Sequence, residues 1–457
     1  MKEITIKEIL EAAGGRLLQG SETDTVTGIK HDSRELEAGD MFVAVIGQSM
    51  DGHRFIPQII RDGCRAVLVS HTDEWFAKIG EASEPVSVIL VDDTIEAMGR
   101  LAAWYLESLN IRRAAVTGSV GKTSTRDMIY YVLSEKYSCG RNLKNYNNNI
   151  GIPISVFRFD ENTEAAVLEM GMDAFGEIEY LSSIVKPHIG IITNIGVAHM
   201  EKLGSRDGIF RAKMEITGNI ASEKDGGTLI FPGDDEYLTK DRTKGDYSQI
   251  EIGFGEGCDF IISNVQDFGI EGIEFDVECP DESVHVRLPV AGTHNAVNGT
   301  VALACGKRMG VSLKEGAAGL ATAELTGSRL RKIQGKEVTI IDDTYNANPA
   351  SMMSALDVLD RSRGARKVAI LGDMFELGDD TESLHRSVGE HAAKIGTDSV
   401  IAIGRLAANI AEGAGGVHFP DKESFLKVMD EYIRPGDIVL VKASRGMHME
   451  DIVGRLK

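Results

Sequence analysis

Cysteine is scarce in this chain. Five residues in 457, Cys64, Cys139, Cys258, Cys279 and Cys305, are odd in number, widely spaced and without a C-x-x-C pair. That excludes a disulfide framework and offers no ligand spacing for a structural zinc, so reduced and mostly buried thiols are expected. Long apolar runs are missing as well: no window approaches ~18 uncharged apolar residues. The opening "MKEITIKEILEAAGG" carries acidic residues inside its apolar pattern, unlike a signal peptide or an anchor. The expectation is a cytoplasmic enzyme with no integral membrane segment, peripheral to a membrane at most. Positive charge is also short. With 49 Lys+Arg against 70 Asp+Glu the formal charge is −21, which argues against nucleic acid or an anionic bilayer as a whole-protein partner. An anionic ligand then needs a locally basic pocket. Proline occupies only 10 positions while glycine fills 50, the balance of a globular chain with many tight turns.

The length calls for about three domains of roughly 150 residues. Residues 1–93 mix short apolar runs such as "DMFVAVIG" and "RAVLVS" with turn-rich joins, a small α/β unit. From Thr94 to Ser108 the positions Ile95, Met98, Leu101, Ala102, Tyr105 and Leu106 fall at helical spacing and form an amphipathic connector. The block 94–325 then begins with strand-like "RRAAVTG", a glycine turn and helix-like "KTSTRDMIYYVLSEK". Buried-strand runs at "AAVLEMG", "HIGIITNIG" and "GGTLIFPGDD" suggest a mainly parallel sheet. The alternating "CDFIISNV" and "SVHVRLPV" predict antiparallel strands that extend it. The block 326–457 repeats strand and helix from "EVTIIDD" to "DIVLVKAS", a second doubly wound, Rossmann-like α/β domain. A monomer is the default expectation.

The stretch "VTGSVGKTST" looks like a P-loop, yet only two residues separate Gly118 from Gly121, where the common Walker pattern has four. Its Lys122 stands where a lysine neutralises outer phosphates and Thr123 where a hydroxyl ligates Mg²⁺. Gly118, Ser119, Val120, Gly121 and Ser124 supply backbone donors around them. Magnesium held by phosphates takes one or two protein oxygens, and Glu169 at the end of one predicted strand and His199 just beyond another stand in the crevice where open α/β sheets bind ligands. Each alone reads as a surface turn residue; two behind one P-loop favour metal binding. "DAFG" (Asp173 to Gly176) imitates a GTPase element but has no N-K-x-D companion, and Lys213 in "RAKMEI" reads by default as a solvated helix lysine. The loop "RNLKNYNNNIGIP", with Asn145, Asn147 and Asn148, suits a polar ligand or is a plain polar loop. "IIDDTYNANP" ends a strand with Asp342, Asp343, Tyr345, Asn346 and Asn348; a ligand site competes there with an Asx turn and helix cap before Pro349.

Taken together, "TGSVGKTS", "LEMG", "TNIGVAHME", "RAKMEI", "GTHNAVNG" and "DDTYNANP" occur in an order that resembles the Mur ligase family, ATP-dependent amide-forming enzymes of peptidoglycan synthesis. "NYNNNIGIP", "GDMFELG" and "VKASRGMHME" are similar to the member that adds D-alanyl-D-alanine to UDP-N-acetylmuramoyl-tripeptide, and the D-N-P-R string of the preceding ligase is absent. Ala443, His448 and Ser328 depart from the family's usual residues. The resemblance implies a first domain that holds the UDP-sugar near Ser33 and Arg34, a central ATPase domain and a C-terminal domain that closes over ATP. It also implies Glu169 and His199 as Mg²⁺ ligands, a carbamylated Lys213, Asn295 at the adenine, and Arg329 and Asp343 at ATP. A sister ligase with another amino acid, or a nucleotide-switch binding protein, are the rival readings.

Overall fold

The computed structural model describes all residues except Gln48, Glu74, 77–84, Lys144, 197–199 and Glu376, and the side chains of Glu201 and Asp379. The chain divides into two compact units, Met1–Gly253 with Val301–Ser312, and Phe254–Thr300 with Leu313–Lys457. All five cysteines are free, and Cys64, Cys279 and Cys305 are buried.

In the first unit the leading block builds a five-stranded sheet in the order Arg16–Gln19, Ser87–Leu90, Ala66–Val69, Asp40–Val43, Gly28–Lys30. Only the Arg16–Gln19 pairing is antiparallel. The runs "DMFV" and "AVLV" are buried residue by residue, as strands covered on both faces must be. Because these strands run the same way, the segments that follow them, 31–34, 44–47 with 49–52, and 70–73, share one edge of the sheet.

The connector forms the helix Thr94–Leu109. The Asp93 carboxylate accepts from the N–H groups of Ile95 and Glu96 at 2.7 and 3.0 Å, and Asn110 stops the helix at φ 51°. Met98, Leu101, Ala102, Tyr105 and Leu106 are fully buried, each large side chain contributing about 1.5–3 kcal/mol. Tyr105 also uses its polar tip: its hydroxyl accepts from Lys2 N–H and donates to the Phe159 carbonyl, both at 2.7 Å. One apolar core therefore runs from the leading block through this helix into the next.

That next block places parallel strands in the order Ser248–Gly253, Thr228–Pro232, Ile189–Ile192, Arg112–Thr117, Ala165–Glu169, Cys139–Arg141. Chain direction across the sheet reverses at Arg112–Thr117, so the glycine turn that follows it sits at the topological switch point. The helix Lys122–Ser134 leaves from that turn.

In the second unit the alternating segments form the expected antiparallel strands Phe260–Asp267, Ile273–Cys279 and Glu282–Leu288. These residues group with the C-terminal part of the chain. The remaining sheet has six strands, in the order Arg331–Gln334, Thr339–Asp343, Asp437–Lys442, Arg366–Gly372, Ser399–Ile403, Val417–Phe419. All its pairings except the first are parallel. The helices Pro349–Arg361 and Thr381–Lys394 cover one face and Glu450–Leu456 the other, the doubly wound arrangement the alternation predicts.

Candidate active site

The short glycine turn is fixed by its neighbours. Gly118 has φ 150° and Gly121 φ 83°, and a Cβ on Gly118 would lie 1.8 Å from Thr193 Oγ1. Ser119 N–H donates to the Asn194 carbonyl at 3.1 Å. The Val120 N–H donates to Asn194 Oδ1 at 3.0 Å, while its carbonyl accepts from Thr193 Oγ1 and Asn194 Nδ2 at 2.6 and 2.9 Å. Lys122 Nζ curls back to donate to the carbonyls of Gly118 and Ser119 at 2.7 and 3.3 Å. Ser124 lies in the first turn of the helix.

Thr123 Oγ1 donates to Glu169 Oε2 at 2.7 Å, joining loop and neighbouring strand end. Glu169 is buried, and its other oxygen accepts from Asn147 Nδ2 at 3.0 Å. Asn142 grips the backbone of the same residue in both directions, donating to its carbonyl at 3.0 Å and accepting its N–H at 2.9 Å. The amide-rich loop is thus partly scaffolding for one carboxylate. Asn148 Oδ1 accepts from the Ile150 and Gly151 N–H groups at the entry to the helix Gly151–Val156, and Asn145 is exposed. A hydroxyl and a carboxylate in contact form an oxygen-only donor set that fits a hard cation such as Mg²⁺. His199 lies outside the described residues.

Lys213 overturns the reading of a solvated lysine. It sits on the helix Arg206–Met214 and is 2% exposed, because the side of the helix that carries Ile209, Ala212 and Lys213 faces the interior. Burial, and then the charge of Lys122, push its amine well below the ordinary lysine range. Two residues on, the Glu215 carboxylate accepts from Gly176 and Glu179 N–H groups at 2.9 and 3.3 Å. Glu177 Oε2 accepts from Asp173 and Ala174 N–H groups at 2.5 and 3.2 Å. "DAFG" is therefore the capped entry to the helix Glu177–Val185, which accounts for its glycine without any nucleotide-switch role.

In the second unit, Asp343 Oδ2 pairs with Lys442 Nζ at 2.6 Å and its Oδ1 accepts from Leu330 N–H at 3.2 Å. Lys442 also donates to the Asn346 carbonyl at 2.8 Å. The Arg329 guanidinium lies 4.4 Å from the Tyr345 ring centroid, so Arg329, Asp343, Tyr345 and Asn346 come together. Asn348 caps the helix Pro349–Arg361: its Oδ1 accepts from Ser351 N–H at 2.9 Å, and Ser351 Oγ accepts from Asn348 N–H at 3.0 Å. Asn295 is buried, with Nδ2 donating to the Ala291 carbonyl at 2.7 Å and Oδ1 accepting from Asn298 at 2.8 Å.

In the leading block Ser33 and Arg34 follow the strand Gly28–Lys30. Arg34 pairs with Asp32 at 2.6 Å, and its hydrogen bonds hold that carboxyl down at about 2. A cluster that sequence patterns do not reveal lies on the same sheet edge. Asp51 bridges His53 Nδ1 at 2.6 Å and His71 Nε2 at 3.0 Å, while His53 Nε2 accepts from Ser70 N–H at 3.0 Å. That acceptor role places the His53 proton on Nδ1, which leaves it no lone pair for a metal.

Three family descriptions match successive parts of the chain: "Mur ligase family, catalytic domain" over residues 25–105, "Mur ligase middle domain" over 116–306, and "Mur ligase, glutamate ligase domain" over 328–445. The chain belongs to the Mur ligase family. This Mur ligase is 39% identical over 461 residues to the UDP-N-acetylmuramoyl-tripeptide--D-alanyl-D-alanine ligase of Bacillus subtilis (strain 168), with 98% of this chain and 97% of the relative covered. It superposes with TM-score 0.89 and 33% identity on the UDP-N-acetylmuramoylalanyl-D-glutamyl-2,6-diaminopimelate--D-alanyl-D-alanyl ligase of Acinetobacter baumannii, covering 100% and 98% of the two chains. A MurF ligase from Thermotoga maritima, solved in complex with ADP, matches with TM-score 0.79 and 26% identity over 94% and 96%. The three-domain α/β architecture is shared with these structures.

Proposed function

We propose that this Mur ligase joins D-alanyl-D-alanine to UDP-N-acetylmuramoyl-tripeptide with conversion of ATP to ADP and phosphate, giving the pentapeptide precursor of peptidoglycan. The full-length similarity to relatives bearing that activity's name carries this reading. The buried Thr123–Glu169 contact behind the P-loop supplies its chemical sense.

In this scheme the terminal carboxylate of the tripeptide attacks the γ-phosphorus of ATP; the bond to the bridging oxygen breaks and ADP leaves with that electron pair. The dipeptide amine then attacks the acyl carbon, loses a proton, and the C–O bond to phosphate breaks to leave the amide. No protein nucleophile is required, so catalysis is positioning and charge neutralisation. Lys122 and the loop residues Gly118, Ser119, Val120, Gly121, Thr123 and Ser124 are assigned to the ATP phosphates, with the Ser119 and Val120 N–H groups released from Asn194 when the nucleotide enters. Thr123, Glu169 and His199 are assigned to Mg²⁺, which when bound neutralises developing charge on phosphate oxygens. We assign Asn295, Arg329 and Asp343 to the nucleotide and Ser33 and Arg34 to the UDP-sugar. Asn145, Asn147, Asn148, Tyr345, Asn346 and Asn348 are assigned to the peptide substrates. Lys213 is assigned as a carbamylation site: its depressed pKa supports a neutral amine, the form that adds CO₂. The proposed domains are 1–93, 94–325 and 326–457. A cytoplasmic setting accords with these soluble substrates, and among the described residues no helix is long and apolar enough to cross a membrane.

Phosphate release measured with the UDP-linked tripeptide, with and without D-alanyl-D-alanine, tests the proposal. Release that requires both substrates is expected. Release driven by a single amino acid would move the assignment to a sister ligase, and release indifferent to both substrates would sink the ligase reading.

A further inference from the structure

Arg126 is 0% exposed, the bulkiest side chain among the described residues to be so completely buried, and it lies one turn after Thr123 on the helix Lys122–Ser134. A guanidinium is costly to bury unless its charge is matched. Here Nε and Nη2 donate to Asp127 Oδ1 at 3.0 and 2.6 Å, and Nη1 reaches Glu169 Oε2 at 3.4 Å. Arg141 Nη1 completes the group at 2.8 Å from Asp127. Two guanidinium groups and two carboxylates therefore meet in one buried network, and Glu169 belongs to it.

We propose that Arg126 is a positioning residue that keeps Glu169 closed to a bare divalent cation, so that the metal enters this site only together with nucleotide phosphates. The inference rests on the reading of Thr123 and Glu169 as the metal-holding pair. Glu169 Oε2 already receives the Thr123 hydroxyl and the guanidinium. A cation arriving alone would have to turn the hydroxyl proton away and sit beside a buried like charge at low effective dielectric. Phosphates bring the surplus negative charge that reverses this balance. The arrangement would keep the P-loop from being occupied by metal without substrate.

The test is Mn²⁺ titration of the full-length enzyme followed by the EPR signal of bound ion, without nucleotide and with ADP. ADP is expected to tighten Mn²⁺ binding to wild type by about tenfold or more, and Arg126→Gln to tighten nucleotide-free binding by a similar factor. Arg126→Lys, which keeps the charge, is expected to behave as wild type. Nucleotide-free affinity unchanged in Arg126→Gln would overturn the proposal. So would wild-type binding within about threefold with and without ADP, a comparison that stands even if the Gln variant does not fold. Glu169→Gln in the ADP complex separates the two layers. If it leaves the bound-ion signal unaltered, the metal assignment fails and the role of Arg126 falls with it. If it weakens the signal while Arg126→Gln changes nothing, only the role of Arg126 fails.

Discussion

The Glu215 carboxylate sits on the N–H groups of Gly176 and Glu179, at 2.9 and 3.3 Å, and so binds the end of the lysine-bearing helix to the start of the helix that follows Glu169's strand. An anion at a helix N-terminus satisfies donors that the helix itself cannot. Glu215→Ala is expected to lower stability by ~1–2 kcal/mol, and Glu215→Gln by roughly half as much. Urea unfolding of the three proteins measures this. Equal midpoints would show that the contact contributes nothing.

Lys213 should make stability depend on pH in a direction opposite to a surface lysine with a salt-bridge partner. Its amine is depressed in the folded state, so between that value and the ordinary ~10.4 the unfolded chain binds more protons. Stability contributed at this position therefore rises with pH across the window. Lys213→Met removes the desolvation penalty. The variant's gain over wild type should be largest at low pH and shrink as pH approaches ~10.4, while ligase activity is lost. With ¹³C-bicarbonate, wild type should show a carbamate carbonyl resonance that the variant lacks.

Lys122→Ala should reduce turnover by about 10²–10³-fold or more while the circular dichroism spectrum is preserved. Retained phosphate release would remove the P-loop assignment.

Gly118→Ala places a methyl group into Thr193 at a φ of 150° that L-residues avoid. The loop must then shift, and the KM for ATP is expected to rise by about tenfold or more, in keeping with the strain of ~1–3 kcal/mol such a residue brings. A KM unchanged from wild type would show that the loop tolerates the displacement.

Asn348 separates a scaffold role from a substrate role. Asn348→Ala is expected to cost about 1 kcal/mol of stability through the lost cap, whereas Asn348→Asp keeps the cap and replaces the amide donors with a carboxylate. A KM for D-alanyl-D-alanine raised in the Asp variant supports the substrate assignment; an unchanged KM assigns Asn348 to the helix alone.

Much of this was readable along the chain. The strand, glycine turn and helix at 112–134 announce themselves because their signals are local, and so do the alternating segments at 260–288. Lys213 misleads because "RAKMEI" is polar in composition, and the burial of one face depends on packing that a nine-residue helix does not display. Arg126 looks like any helix arginine; its partner Glu169 stands 43 positions away and meets it only in the fold, as Arg141 meets Asp127. The Asp51, His53 and His71 cluster is hidden for the same reason, because His71 comes from the loop after the next strand, Ala66–Val69. "IIDDTYNANP" shows the reverse case, in which both competing readings are partly right: Asn348 caps a helix, while Asp343 and Tyr345 meet Lys442 and Arg329.

Tyr105 has a consequence for how the molecule comes apart. Its hydroxyl is bonded at once to the second residue of the chain and to Phe159, and its ring lies in a core shared by the leading block and the P-loop sheet. Neither block can open without exposing that core. A calorimetric scan should therefore show residues 1–93 melting together with the P-loop sheet as one cooperative transition, and a protease should not release the first block as a stable fragment.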